Sequence, residues 1–327
     1  MKLLVTGGAG YIGSIVARHL VAAEHEVVVL DNLERGHRPA VLPDMRLVVA
    51  DLLEAETVRM LLHDGFDGVL HFAALSLVGE SVEHPERYYR TNVGGTLNLL
   101  EAMRDAGVRK LVFSSTAAVY GQSDQIPIPE TAATRPTNAY GRSKLAVDNM
   151  IADFCAAYDL GAVSLRYFNV AGASGGAGED HNPETHLIPN VLKAAFGINP
   201  VVEVFGTDYS TPDGTAIRDY IHVDDLAIAH LLALEWTRPG EQQIFNLGNG
   251  SGFSVREVIA AAREVTGVDI PTAEAPRRRG DPPVLVAASD LAHSELGWEP
   301  RKPTLAEMIA DAWAFALAHP RGYSDQV

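Results

Sequence analysis

Cysteine is nearly missing from this chain: one residue in 327, Cys155. A single thiol cannot close an intrachain disulfide, so a reducing compartment is expected, and its place on a helical stretch points to packing rather than chemistry. Long apolar runs are missing too. None approaches the ~20 residues a membrane-spanning helix needs, and the opening MKLLVTGGAGYIG turns to glycine too early for the apolar part of a signal peptide. A soluble, cytoplasmic protein is expected. Basic residues are the minority, 26 against 42 acidic for a formal net charge of −16, which argues against nucleic acid and membrane surfaces as partners. A small anionic ligand remains compatible if a few arginines are gathered locally. Repeats and low-complexity tracts are absent, and 47% hydrophobic content over this length supports a sizeable core in one large domain or two unequal lobes.

What is present is alternation. Short apolar runs at 2–6, 26–31, 46–51, 68–73, 109–114 and 162–168 read as strands buried on both faces. Between them lie segments with apolar positions three and four apart, such as GSIVARHLVAA and ERYYRTNVGGTLNLLEAMRDAG. Strand–helix alternation of this kind predicts an α/β fold, a doubly wound parallel sheet of the Rossmann type. After residue 171 the texture changes to AGASGGAGEDHNPETH, read as a loop or lobe boundary and, near 172–182, as a lid over a site. Residues 1–171 are therefore expected to form a dinucleotide-binding domain. Residues 172–327 are expected to form a smaller α/β substrate lobe, with strands at 201–205 and 243–247, helices near 224–236, 254–266 and 303–318, and some segments returning to the first domain.

The stretch TGGAGYIG sets Gly7, Gly10 and Gly13 after the first strand and at the mouth of the first helix. The first permits a tight turn, the second lets backbone approach a pyrophosphate, the third lets helix pack on strand, and the helix N-terminus supplies N–H groups. About 20 residues on, Asp31 ends the second strand, where a carboxylate bonds adenosine ribose hydroxyls and repels a 2′-phosphate; NAD is the expected cofactor, with Arg35 nearby as the one contrary sign. Asp51, ending the third strand, is placed to meet the adenine. The fifth strand runs into FSSTAAVYG, which brings the hydroxyls of Ser114, Ser115 and Thr116 to the sheet edge. Tyr140 and Lys144 then follow one helical turn apart. A free phenol with pKa near 10 is a poor base, so a neighbouring ammonium and a cationic nicotinamide are expected to favour the phenolate, while Thr116 stabilises charge on a reacting oxygen. None of the 12 histidines stands in an HExxH pattern or other obvious ligand set, and no catalytic metal is expected.

Nearly the whole chain resembles a known family, the extended short-chain dehydrogenase/reductases that act on nucleotide sugars. The carrying segments are TGGAGYIG, HFAALSLVGES, YYRTNVGGT, FSSTAAVYG, YGRSK, LRYFNVAG, DGTAIRDYIHVDDLA, FNLGNG and APRRRGDPP, of which DGTAIRDYIHV and PRRRGD resemble the 4-epimerase branch in particular. The resemblance implies that the NAD site also takes in Tyr11, Ile12, Asn32, Leu52, Phe72, Ala73, Ala74, Asn92, Ser114 and Tyr167. It implies that Phe168, Asn169, His186, Leu187, Phe205, Arg218, Tyr220, Arg278 and Asp281 meet a UDP-sugar alongside Thr116 and Tyr140. Arg277 and Arg279 flank Arg278, which leaves that contact open by one position. The activity implied is interconversion of UDP-glucose and UDP-galactose at C4 through a transient 4-keto sugar, by a homodimer joined through helices near 86–106 and 140–158. Leu285 matches a position beside the sugar's 2-substituent and implies UDP-GlcNAc and UDP-GalNAc as a second pair.

Two departures stand out: Ser76 where many members have a lysine near the pyrophosphate, and His186 where some have an asparagine. A uronate or pentose epimerase remains open. A dehydratase needs a carboxylate acid/base pair after Thr116, where this chain has Ala117 and Ala118. A non-enzymatic NAD sensor would not be expected to keep both Tyr140 and Lys144.

Overall fold

Period-two alternation within the strands builds the centre of the protein. Leu3 and Val5 belong to one apolar cluster and Leu4 to another, and Val27 and Val29 are divided from Val28 and Leu30 in the same way. Burying one such side chain contributes roughly 1.5–3 kcal/mol, so a strand apolar on both faces is stable only between two layers of helix. A computed structural model, which describes residues 1–278 and 281–326, has this arrangement.

In the first half of the chain, strands β1 (Lys2–Thr6), β2 (Glu26–Asp31), β3 (Arg46–Val49), β4 (Gly68–His71), β5 (Lys110–Ser114) and β6 (Gly161–Tyr167) alternate with helices α1 (Tyr11–Ala22), α2 (Ala55–Leu62), α3 (Val78–Glu83), α4 (Pro85–Tyr88), α5 (Gly95–Ala106) and α6 (Ala139–Tyr158). A π-helical turn, Tyr89–Gly94, joins α4 to α5. There follow β7 (Asn169–Ala171), α7 (Leu187–Ala195), β8 (Val202–Phe205), β9 (Ile217–Arg218), β10 (Tyr220–His222), α8 (Val223–Trp236), β11 (Gln242–Leu247), β12 (Phe253–Ser254), α9 (Val255–Thr266), β13 (Thr272–Ala275), β14 (Val284–Leu285) and α10 (Leu305–Ala318).

The main sheet runs β3-β2-β1-β4-β5-β6-β11 with every pair parallel. Strand order reverses between β1 and β4, and the crevice at such a switch point is where ligands bind in doubly wound sheets. Residues of α1 and α8 cover one face and those of α2, α5 and α6 the other. Cys155 is buried in the second layer, as its helical position suggested, and burial pushes its thiol up to about 11.

Two strands end two residues before their apolar runs do. β3 ends at Val49 and β4 at His71, and the next residues, Ala50 and Asp51 and then Phe72 and Ala73, leave the sheet to line a cavity. From beyond residue 172, β11 pairs with β6 and α8 packs in the layer of α1, while α7, α9, α10 and β8 share a third apolar cluster. Among the described residues no helix is long and apolar enough to cross a membrane.

Candidate active site

A cavity of about 1740 Å³ runs from the glycine turn after β1 to β8 and β9. Every site residue expected from the sequence lines it except Asn92. That side chain sits on the π-helical turn, 1% exposed. Its amide accepts from the Leu75 N–H at 2.8 Å and donates to the Leu75 carbonyl and to Ser143 Oγ, each at 3.0 Å. Asn92 therefore fixes the loop after β4 against α6 instead of facing a ligand.

At the cofactor end Gly7 has φ +70°, and a Cβ there would lie 2.5 Å from the Ala73 backbone nitrogen. Gly10 precedes α1 with no side-chain cap and no acidic residue follows in the first turn, so the helix presents N–H groups and partial positive charge to the cavity. The Asp31 carboxylate accepts from Ala9 N at 3.0 Å and Leu33 N at 2.8 Å, and burial raises its pKa. Asn32 donates to Asp51 Oδ2 at 2.8 Å. Arg35 does not turn to the ribose position: it donates to the Asn182 carbonyl at 2.5 Å and to Glu80 at 3.2 Å. These residues fit a dinucleotide pyrophosphate and a ribose carrying free hydroxyls. Ser76 is exposed on the cavity wall and supplies no charge there.

At the centre the Lys144 ammonium donates to the Ser114 carbonyl at 2.8 Å and lies 4.7 Å from the Phe113 ring centroid. Ser114 Oγ and the Tyr167 hydroxyl are hydrogen-bonded to each other. Burial drops the Lys144 pKa to about 7, with Asp148 opposing the fall. Burial likewise raises the Tyr140 phenol, while its hydrogen bond with Thr116 pulls the other way. Without a cofactor, burial outweighs that hydrogen bond; the lowering expected from the sequence rests on the ammonium and a cationic nicotinamide acting together. Beneath them His71, bonded to Thr6 at 2.6 Å and Thr96 at 2.8 Å, falls to about 3 through burial and the charge of Lys144. It is neutral at physiological pH.

The sequence reading missed Asp148, one further turn along α6. Arg166 donates to it at 2.9 and 3.1 Å, Ser115 at 3.1 Å, and Arg166 continues to the Tyr120 hydroxyl at 3.0 Å. The signal was available, since the four-residue step from Tyr140 to Lys144 reaches Asp148 when repeated.

At the far end, two members of the three-arginine run differ in their contacts. Arg278 lines the cavity with its guanidinium 4.1 Å over the Phe205 ring, whereas Arg277 is held outside on Asp208 at 2.6 Å and over Tyr209. Arg279 lies outside the described residues. Arg218 pairs with Asp281 at 2.5 Å and also donates to the Ile217 carbonyl at 2.7 Å. Leu285 and Phe168 pack against the small apolar cluster of Ala117, Val119, Tyr120 and Ile128. Tyr220 is buried, which raises its phenol pKa. His186 is held by two carboxylates, Glu179 at 2.8 Å and Glu184 at 3.0 Å, which overcome burial and push it up to about 10. It faces the site as an imidazolium, not as a neutral stand-in for asparagine.

The glycine-rich segment is more firmly held than its composition suggested. Gly172 O accepts from the Tyr11 hydroxyl at 2.6 Å, Gly178 N donates to the Tyr323 hydroxyl at 3.1 Å, and Asp180 accepts from Tyr323 N at 2.9 Å. Composition predicts a loop without revealing partners from residues 11 and 323.

A family model described as "NAD dependent epimerase/dehydratase family" matches residues 3–248. The chain is 57% identical over 328 residues to a UDP-glucose 4-epimerase of Streptomyces lividans, covering 99% of both. A UDP-glucose 4-epimerase from Brucella ovis in complex with NAD aligns with TM-score 0.92 at 46% identity, covering 96% of this chain and 97% of that one. A UDP-glucose 4-epimerase from Bifidobacterium longum, in complex with NAD+ and UDP, aligns with TM-score 0.93 at 37% identity over 98% and 100%.

Proposed function

The chain belongs to the NAD dependent epimerase/dehydratase family, and from that membership we propose that it interconverts UDP-glucose and UDP-galactose by inverting C4. It is an isomerase, and its cofactor is NAD. The observation that carries the reading is one continuous cavity. The glycine turn lies at one end, Tyr140, Lys144 and Thr116 at its centre, and Phe205 with Arg278 at the other. Ordinary ligand pockets run to about 300–1,000 Å³, so 1740 Å³ leaves room for a dinucleotide, a nucleotide sugar and reorientation of the sugar between them.

When bound, NAD supplies a reversible two-electron acceptor beside C4. The chain does the rest. Tyr140 takes the proton of the 4-hydroxyl and later returns one, Thr116 donates to the sugar oxygen as charge develops, and Lys144, fixed on Ser114, steadies the phenolate. Gly7, Gly10, Tyr11, Ile12 and Gly13 hold the pyrophosphate, and Asp31, Asn32, Asp51 and Leu52 hold the adenosine. Phe72, Ala73, Ala74, Ser114 and Tyr167 wall the nicotinamide, while Asn92 acts as a positioning residue behind them.

Arg278 and Phe205 are assigned to the diphosphate and uracil, with Asn169, His186, Leu187, Arg218, Tyr220 and Asp281 around them. Ala117 and Ala118 also line the cavity. They offer no acid or base for the elimination a dehydratase performs.

The test is conversion of UDP-galactose to UDP-glucose by purified protein with no NAD added. Turnover that Tyr140→Phe abolishes, with circular dichroism unchanged, supports the reading; an inert wild type overturns it. We further propose a cytoplasmic homodimer with a secondary N-acetyl activity set by Leu285. Leu285→Tyr is expected to suppress UDP-GlcNAc turnover and spare UDP-glucose, and equal loss on both sugars would contradict that assignment.

A further inference from the structure

We propose that Glu179, His181, Glu184 and His186 form a binding site for a divalent transition metal ion of the zinc class on the wall of the cavity. The cluster goes beyond the proposed reaction, in which no metal takes part. The linear sequence hid it: read as EDHNPETH, its spacing matches none of the familiar metal signatures, and the chain must fold back on itself to bring the four side chains together.

The geometry is the first argument. A tetrahedral Zn²⁺ has N and O ligands at ~2.0–2.2 Å, which puts neighbouring donor atoms ~3.3–3.6 Å from one another. Here His186 Nδ1 is 2.8 Å from Glu179 Oε1 and 3.0 Å from Glu184 Oε1. His181 Nδ1 is 3.1 Å from Glu179 Oε1 and 3.8 Å from Glu184 Oε2. All four donors fall within 4.8 Å of one another. Two imidazoles and two carboxylates are a donor set suited to zinc and its neighbours rather than to magnesium or calcium.

Charge is the second argument. The two glutamate side chains are 10% and 3% exposed, and carboxylates so close together and so buried require a cation. Among the described residues neither makes an ion pair with lysine or arginine; their close partners are the side chains of the two histidines. A second cluster shows the alternative. His222, Asp224 and Asp311 are also grouped within ligand distance, but there the Lys302 ammonium already reaches Asp224 at 2.9 Å and Asp311 at 2.7 Å. That group has an ammonium built in, whereas the Glu179 cluster has none among the described residues.

Preorganisation is the third. Glu184 Oε1 accepts from the backbone N–H groups of Thr185 and His186, both at 2.8 Å. This orients the carboxylate toward His186 before any ion arrives, as outer contacts do in metal sites.

The test is titration of the purified, NAD-loaded protein with Zn²⁺ in competition with a chromophoric chelator, without nucleotide sugar. One Zn²⁺ per chain is expected, with affinity falling ~100-fold or more in His181→Ala and in Glu179→Gln, since even outer contacts are worth 10–100-fold. Zinc-edge X-ray absorption on the wild-type protein needs no variant, and is expected to give two imidazole nitrogens and two oxygens in the first shell. No stoichiometric binding, binding that both substitutions leave unchanged, or a shell without two imidazoles would overturn the proposal.

Discussion

Lys144 is 3% exposed and burial holds its pKa near 7, against 10.5 for a free lysine. Between those values the unfolded chain carries a proton that the folded protein lacks, so stability rises with pH across that window. The cost of burying the ammonium is felt in full below pH 7 and fades toward 10.5. Lys144→Met is therefore expected to raise the melting temperature of NAD-free protein most near pH 6, with the gain shrinking as pH climbs. A gain that grows with pH would contradict the burial argument.

The arginine run allows a second test at this scale. Charge-assisted hydrogen bonds contribute about 1.5–3 kcal/mol, roughly 10- to 150-fold in binding. Arg278→Ala is expected to raise KM for the UDP-sugar by that factor, while Arg277→Ala, whose guanidinium is held on Asp208, changes KM little. Residue types and spacing made Tyr140, Lys144 and Thr116 legible in the sequence. They could not separate Arg277 from Arg278, because adjacent positions in an irregular segment have no periodicity to tell which faces inward. Nor could they show that Asn92 is spent on Leu75 and Ser143.

At the scale of elements, α6 decides whether the central groups meet. Asn138 caps it by accepting from Gly141 N at 2.8 Å, which fixes where the helix starts and so where Tyr140 points. Gly141 lets that first turn press on the strand-end hydroxyl segment, since a Cβ there would lie 2.5 Å from the Ala118 carbonyl oxygen. Gly141→Ala is expected to push α6 away from Thr116 and lower kcat at least ~10-fold while NAD stays bound, read by turnover and by cofactor absorbance after gel filtration. Unchanged kcat would show that the close approach does not matter.

Strands β1 to β6 were legible because an apolar run bounded by turns has few other solutions. Their ends were not, because Ala50, Phe72 and Ala73 continue the apolar pattern while serving the cavity. The anchoring of residues 172–186 was hidden for a different reason: it depends on Tyr11 and Tyr323, far away in sequence.

For the whole molecule, alternation announced the parallel sheet, but not that β11 would extend it beyond β6. Edge order depends on tertiary packing, and nothing local in QQIFNL encodes a neighbour 80 residues earlier. The proposed dimer also belongs to this scale. Tyr89 and Leu97, on the arm formed by α4, the π-helical turn and α5, are 43% and 38% exposed, so light scattering at micromolar concentration is expected to give twice the chain mass. A monomer across that range would contradict it.

In the proposed mechanism one site oxidises C4 of a UDP-sugar and reverses the oxidation on the opposite face without releasing the cofactor. UDP-galactose deuterated at C4, incubated with the purified protein in ordinary water with no NAD added, tests this most directly. UDP-glucose that keeps its deuterium at C4 is expected; replacement of that deuterium by solvent hydrogen would contradict the mechanism.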